Sequence, residues 1–149
     1  MSYLICSMAL VVLILVMPYF YSIEVTRVST RAAESELAEI ADYTSNTLAN
    51  LYYLANSTND KSSSLSKQLV YLPLTVHDSF YNLGIVSVAG NALKITASLR
   101  DDPSISADAW LVPGLKVGSQ SSVEVSTKVT VAGCNLSGAD YYVWLGVAD

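Results

Sequence analysis

Histidine and cysteine are nearly missing from this chain: His77 is the single histidine, and Cys6 and Cys134 are the two cysteines among 149 residues. One imidazole excludes a histidine-rich metal site. Two thiols so placed, one deep in an apolar run and one in the tail, exclude an internal disulfide as the source of stability. Basic residues are scarce as well. Eight Lys and Arg against thirteen Asp and Glu leave a formal net charge of -5 and an isoelectric point near 4.6. No basic stripe exists to neutralise a phosphate backbone, so nucleic acid is not an expected partner. The length allows one folded domain plus one appended element, which rules out a multidomain enzyme. Charged residues make up only 14%, and the deficit is concentrated: residues 1–23 contain no Asp, Glu, Lys, Arg or His.

What fills that uncharged stretch is MSYLICSMALVVLILVMPYFYSI, apolar on every side and long enough to cross a bilayer core as one helix. A soluble surface helix carries an apolar stripe opposite a polar face; this one has no polar face and must be sheltered all round, in lipid or in a bundle of helices. About fifteen large apolar side chains at about 1.5–3 kcal/mol each put the burial at stake at roughly 20–45 kcal/mol. A cleaved secretory signal needs a basic segment ahead of a shorter apolar core, and nothing basic precedes this run. Pro18 removes one backbone hydrogen bond and is expected to kink or loosen the helix over residues 9–18. Cys6 and Ser7 are small enough for close helix packing.

From Ser22 the pattern turns amphipathic, with Leu37, Ile40, Ala41, Thr44, Leu48, Leu51, Tyr52 and Ala55 recurring at helical spacing. Glu24 with Arg27, and Arg31 with Glu34 or Ser35, lie at neighbouring helical positions and add a few tenths of a kcal/mol each. No breaker occurs between Tyr19 and Asn56, so one helix of about 54 residues, roughly 80 Å long, is expected. The organisation read from this is a helix over 1–56, with 1–23 as a membrane or filament-core segment and 24–56 as an amphipathic half. A polar linker follows over 57–67 and a C-terminal β-domain over 68–149.

That tail alternates apolar and polar residues with the period of a strand, most plainly in SSVEVSTKVTVAG. Further strands are expected over 68–76, 80–87, 91–99, 107–112 and 141–147, punctuated by AGN, RDDP, PG and SGAD turns. The fold class expected is therefore α+β, a long N-terminal hydrophobic helix followed by a small antiparallel, Ig-like β-sandwich, its layers packed on each other or on the amphipathic helix. The ten tyrosines suit the sandwich rim and subunit contacts.

Chemistry is thin. His77-Asp78-Ser79 holds triad residue types, but neighbours on a strand point to opposite faces, so it reads as a strand end and turn. Asp101-Asp102-Pro103 reads as a solvated turn, and PGLKVGS lacks the Lys-Ser pair of a phosphate loop. No catalytic residue, metal or cofactor is expected. Asn56-Ser57-Thr58 and Asn135-Leu136-Ser137 match the N-glycosylation pattern, making glycans possible partners at Asn56 and Asn135.

An uncharged apolar N-terminal helix, extended by an amphipathic half and followed by a β-domain, resembles type IV pilins, and in form it is similar to archaeal type IV pilin-like filament subunits. The resemblance covers the whole layout. Its local echo is LVYLPLTVHDSFYNLGIVSV at residues 69–88, similar to the Leu-Pro, spacer, Tyr, apolar-strand pattern that follows the helix in archaeal pilin-like proteins. Ile5 stands where bacterial pilins usually carry Glu, as is common in archaeal relatives. The resemblance implies a class III leader, and none is visible in the sequence unless it was removed ahead of Met1. It further implies a subunit stored in the membrane, extracted by an assembly ATPase with its platform protein, and polymerised with identical copies into an extracellular filament for adhesion or surface interaction. Leu4, Ile5, Leu10, Leu13, Ile14, Val16 and Pro18 would then line the filament core, while Ile40, Leu48 and Leu51 would dock the β-domain. The alternative with the same layout is a single-pass anchored β-sandwich ectodomain, similar to archaellum stator components; a ligand-binding ectodomain would need a concave polar site that the sequence does not name.

Overall fold

A computed structural model of the chain describes residues 2–58, 64–89, 92–125 and 128–148, with side chains from residue 7 onward. The absence of breakers has the expected effect. Helix α1 is continuous over Ser2–Ser57, and Pro18 is accommodated within it. The helix ends where Ser57 and Thr58 take over the carbonyls that the next turn would have used. Ser57 Oγ donates to Leu54 O at 2.7 Å, Thr58 Oγ1 donates to Ala55 O at 2.8 Å, and Thr58 N donates to Leu54 O at 3.2 Å. By contacts the chain forms two compact units, Met1–Ala32 and Ala33–Asp149.

Among the described residues of the second unit, eight strands follow the helix: β1 Ser64–Gln68, β2 Tyr81–Val88, β3 Ala92–Leu99, β4 Ser106–Trp110, β5 Leu115–Val117, β6 Ser122–Val125, β7 Thr130–Ser137 and β8 Asp140–Val147. They form two four-stranded sheets, ordered β1-β7-β8-β5 and β4-β3-β2-β6. The α+β class and the sandwich are thus as expected. All pairings are antiparallel except that of β5 with β8, which is parallel. Registers set the inner faces. Leu83 lies opposite Ala97 and Val123, Ile85 opposite Ile95, and Ile95 opposite Ala109. In the other sheet Ala132 lies opposite Leu145 and Cys134 opposite Val143. All these side chains are buried, in one cluster with Ala33, Leu37, Ile40, Ala41, Leu48, Leu51 and Ala55 of α1. The helical spacing seen in the sequence is therefore the stripe by which residues 33–55 become a wall of the sandwich core.

The differences from expectation have identifiable causes. The stretch assigned to the linker over 57–67 contains most of β1: SLSKQ is polar but for Leu65, which packs against the core, and the strand pairs along β7 at the sheet edge through its backbone. Of the strand expected over 68–76, Gln68 ends β1 and the rest is a loop, because Pro73 cannot extend a ladder and Val76 already pairs back with Ser79. SSVEVSTKVTVAG is not one strand; it supplies β6 to one sheet and β7 to the other. β6 turns Val123 and Val125 inward, whereas β7 buries Thr130, Ala132 and Cys134 and leaves Val129 exposed, so the inward face changes phase between the two strands. β5 is three residues long, too short to be seen as a period.

Outward-facing polar residues pair across strands. Asp108 accepts from Lys94 Nζ and from Thr96 Oγ1, each at 2.6 Å, and these bonds hold its carboxyl below the usual carboxylate range. Arg100 reaches Glu124 and Lys116 reaches Asp140, each at 2.6 Å. Such exposed pairs contribute little to stability individually.

Candidate functional site

The described part of the unit Met1–Ala32 is a single helical segment, and its large apolar side chains over residues 8–21 have no cover. From Met8 to Tyr21 their exposure runs from 41% at Val16 to 73% at Tyr21. Among the expected core residues, Leu10 is 60% exposed, Leu13 57% and Ile14 60%. The side chains of Leu4 and Ile5 lie outside the described residues, and Pro18 is exposed in an unbroken helix. α1 is long and apolar enough to cross a membrane. A contiguous patch of this extent is far beyond the few hundred Å² that a soluble monomer tolerates, which marks it as a contact surface for lipid or protein.

The polar residues that follow are partly silenced. Ser22 Oγ donates to Tyr19 O at 2.9 Å, Thr26 Oγ1 to Ser22 O at 2.9 Å, and Thr30 Oγ1 to Thr26 O at 3.0 Å. Hydroxyls bonded back into their own helix no longer need water, so this face can be covered at small cost. Between them stand exposed Val25 and Val28, and Arg27, which meets Glu24 at 3.6 Å.

The three residues expected to dock the β-domain do sit in its core: Leu48 is 0% exposed, Ile40 5% and Leu51 9%. Polar and aromatic contacts lock the same stretch. Ser45 Oγ donates to Trp110 O at 2.8 Å, Tyr141 OH donates to Asn56 Oδ1 at 3.0 Å, and Tyr52 meets Tyr141 edge to face with ring centres 4.9 Å apart. None of these partners was visible in the sequence, because each joins α1 to a strand or strand end dozens of residues away.

The residues with catalytic types are built into turns. His77 and Asp78 have φ of 48° and 62°, the two left-handed positions of a two-residue hairpin closed by Val76 N to Ser79 O at 2.9 Å and Ser79 N to Val76 O at 3.0 Å. His77 Nε2 lies 3.9 Å from Glu36 Oε1 of α1, so the histidine faces an acid on the helix instead of Ser79. Asp102 Oδ1 accepts from Ser104 N and Oγ, as an Asx turn does. Among the described residues no three His, Cys, Asp or Glu gather as metal ligands. Cys134 lies within β7, not in a turn, and burial pushes its thiol above the ordinary range. The concavity along residues 8–24 is lined by a single helix and encloses nothing.

Of the two glycosylation motifs, Asn56 is exposed at the helix end. Asn135 sits in β7 between β1 and β8, where its Oδ1 accepts from Ser64 Oγ at 2.7 Å and from Trp144 Nε1 at 3.3 Å. Trp144 spreads over Gly133, its direct cross-strand partner, where a Cβ would run into the indole ring. The loop over 69–80, part of the pattern that resembles archaeal pilin-like proteins, exposes Val70, Tyr71, Leu74 and Phe80. No protein-family model, no curated protein and no solved structure matches the chain.

Proposed function

We propose that this chain is the structural subunit of an extracellular filament of the type IV pilus kind, stored in the membrane and polymerised through its N-terminal helix. One observation carries the reading: α1 is apolar and uncovered on all sides over residues 8–21, while its continuation over 33–55 is built into the sandwich core. Residues 2–23 span about 33 Å at 1.5 Å per residue, enough for the roughly 30 Å hydrocarbon core. In that state lipid shelters the helix. In a filament, neighbouring helices take the place of lipid, so burial is exchanged at little net cost.

A lone membrane anchor uses only the uncharged stretch. Beyond it, Val25 and Val28 stay 50% and 65% exposed, interleaved with Glu24 and Arg27. Apolar side chains set among charges suit a protein neighbour better than acyl chains, which favours the polymer over the anchored ectodomain. The filament core then consists of Leu4, Ile5, Leu10, Leu13, Ile14, Val16 and Pro18, and the sandwich coats the outside, where adhesion takes place. Contacts between unlike surfaces of identical subunits propagate as an open helix. The test is to shear cells, pellet the extracellular filaments and identify the major subunit and its N-terminus by mass spectrometry. Recovery in sheared filaments is the expected result; recovery only from membranes overturns the reading in favour of the anchored ectodomain.

A further inference from the structure

One concave surface of the unit Ala33–Asp149 has both a floor and a rim of defined chemistry. A groove of about 480 Å³ opens between α1 and the loop after β1, floored by Ile40, Tyr43, Tyr71 and Leu72 and edged by Glu36 and Glu39. Tyr43 and Tyr71 stand edge to face, 6.0 Å between ring centres, and Tyr71 is 83% exposed. Glu36 has only His77 near it, at 3.9 Å, and Glu39 has no ionic partner among the described residues. The acidity is one-sided: residues 32–60 hold Glu34, Glu36, Glu39, Asp42 and Asp60 and no Lys or Arg.

The complementary surface is on the same helix. Arg27 and Arg31 are the two basic residues of α1. Val25, Val28 and Arg31 follow one another at three-residue spacing along one helical stripe, with Arg27 on its flank. Val25, Val28 and Arg27 are at least half exposed, and Arg31 has no ionic partner among the described residues. A helix cannot lie along its own surface, so the matching segment has to come from another copy.

We propose that this groove receives residues 25–31 of α1 from a second copy of the chain, Val25 and Val28 on the aromatic floor and Arg27 and Arg31 against Glu36 and Glu39; this rests on the filament reading and specifies one of its contacts. Donor segment and groove are different surfaces, so the contact is heterologous and repeats from copy to copy without closing into a ring. Its charges also set register. The basic pair precedes the acidic pair by about nine residues in the chain, so neighbouring helices that lie parallel bring the two pairs together at a stagger of about that many residues. In perfect alignment Arg27 and Arg31 would face each other's like charges, an arrangement that costs several kcal/mol where it is desolvated.

The experiment is assembly by charge reversal, in cells producing the full-length chain as the filament subunit. Arg27→Glu with Arg31→Glu is one variant, Glu36→Lys with Glu39→Lys the second, and all four changes together the third. Yield of sheared filaments is compared at equal membrane levels of subunit. Each half-swap is expected to lower the yield by about tenfold or more and the full swap to restore most of it. As a second readout, Val28→Cys and Tyr71→Cys are placed on two differently tagged copies in a Cys6→Ser background, and a mixed-tag disulfide is expected in filaments. If the parent chain forms filaments but the half-swaps assemble normally, the full swap fails to recover, or the mixed disulfide is missing, the groove has another occupant and the inference falls while the filament reading stands. If the parent chain forms no filaments, both fall together.

Discussion

Two leucine-to-alanine substitutions in the same helix separate stability from assembly. Leu48 is fully buried between α1 and the sandwich, whereas Leu13 is 57% exposed. Truncating a buried leucine forfeits its transfer free energy and leaves a cavity, about 2–5 kcal/mol together. For the unit Ala33–Asp149, about 2 cal/mol/K of unfolding entropy per residue amounts to roughly 0.25 kcal/mol/K, so Leu48→Ala should lower Tm by about 8–20 °C. Leu13→Ala opens no cavity, and its Tm should stay within about 2 °C of the parent, while the yield of sheared filaments falls. Thermal melts of the full-length chain in mild detergent, followed by the fluorescence of Trp110 and Trp144, provide the measurement. The reasoning is refuted if Leu48→Ala melts with the parent, because the stripe over 33–55 would then lie outside the cooperative core. It is equally refuted if Leu13→Ala melts as early as Leu48→Ala.

Gly133→Ala places a Cβ in the Trp144 indole and should displace that ring, breaking its bond to Asn135; a loss of about 1–3 kcal/mol and a changed near-ultraviolet dichroism spectrum are expected. Tyr81 is buried with its hydroxyl donating to Pro73 O at 2.7 Å, and burial raises its pKa well above the ordinary value near 10. Above about pH 10 the unfolded chain releases this proton while the folded chain keeps it, so stability is fully present below that pH and declines as pH rises; denaturant midpoints across this range should fall in the parent and fall less steeply in Tyr81→Phe. Cys134 is 0% exposed with a raised thiol pKa, so in a Cys6→Ser background a maleimide should label the native protein negligibly and the unfolded protein fully.

The helix was legible because its evidence is local: no breaker, no charge over 1–23, and a stripe from Leu37 to Ala55 that holds 3.6-residue spacing. β2, β3 and β8 were legible for the same reason, each presenting alternate apolar residues to one core. β1 was not, since Ser64 to Gln68 carry a single apolar residue, Leu65, and their pairing with β7 is invisible in a local pattern. Residues 69–76 misled in the opposite sense, with apolar side chains that mimic a strand but of which Val70, Tyr71 and Leu74 face solvent. The uncovered helix was readable as an absence of charge. The groove beside Glu36 and Glu39 was not, because it exists only once the loop carrying Tyr71 and Leu72 folds against Tyr43. The locks Ser45 to Trp110 and Asn56 to Tyr141 likewise depend on apposition across the fold.

The order in which the chain is made adds a consequence to the pairing of β7 and β8 with the earlier elements. The buried stripe of α1 shares its core with Val143 and Leu145, and β1 pairs with β7. At translation rates of about 5–20 residues per second, roughly a hundred residues separate Leu37 from those partners, a gap of about 5–20 seconds. For that interval the core around the nascent helix lacks Val143 and Leu145, and the sandwich cannot close until β8 has been synthesised. A membrane or a chaperone that engages the apolar half first therefore holds the whole helix away from other nascent chains until its own strands arrive.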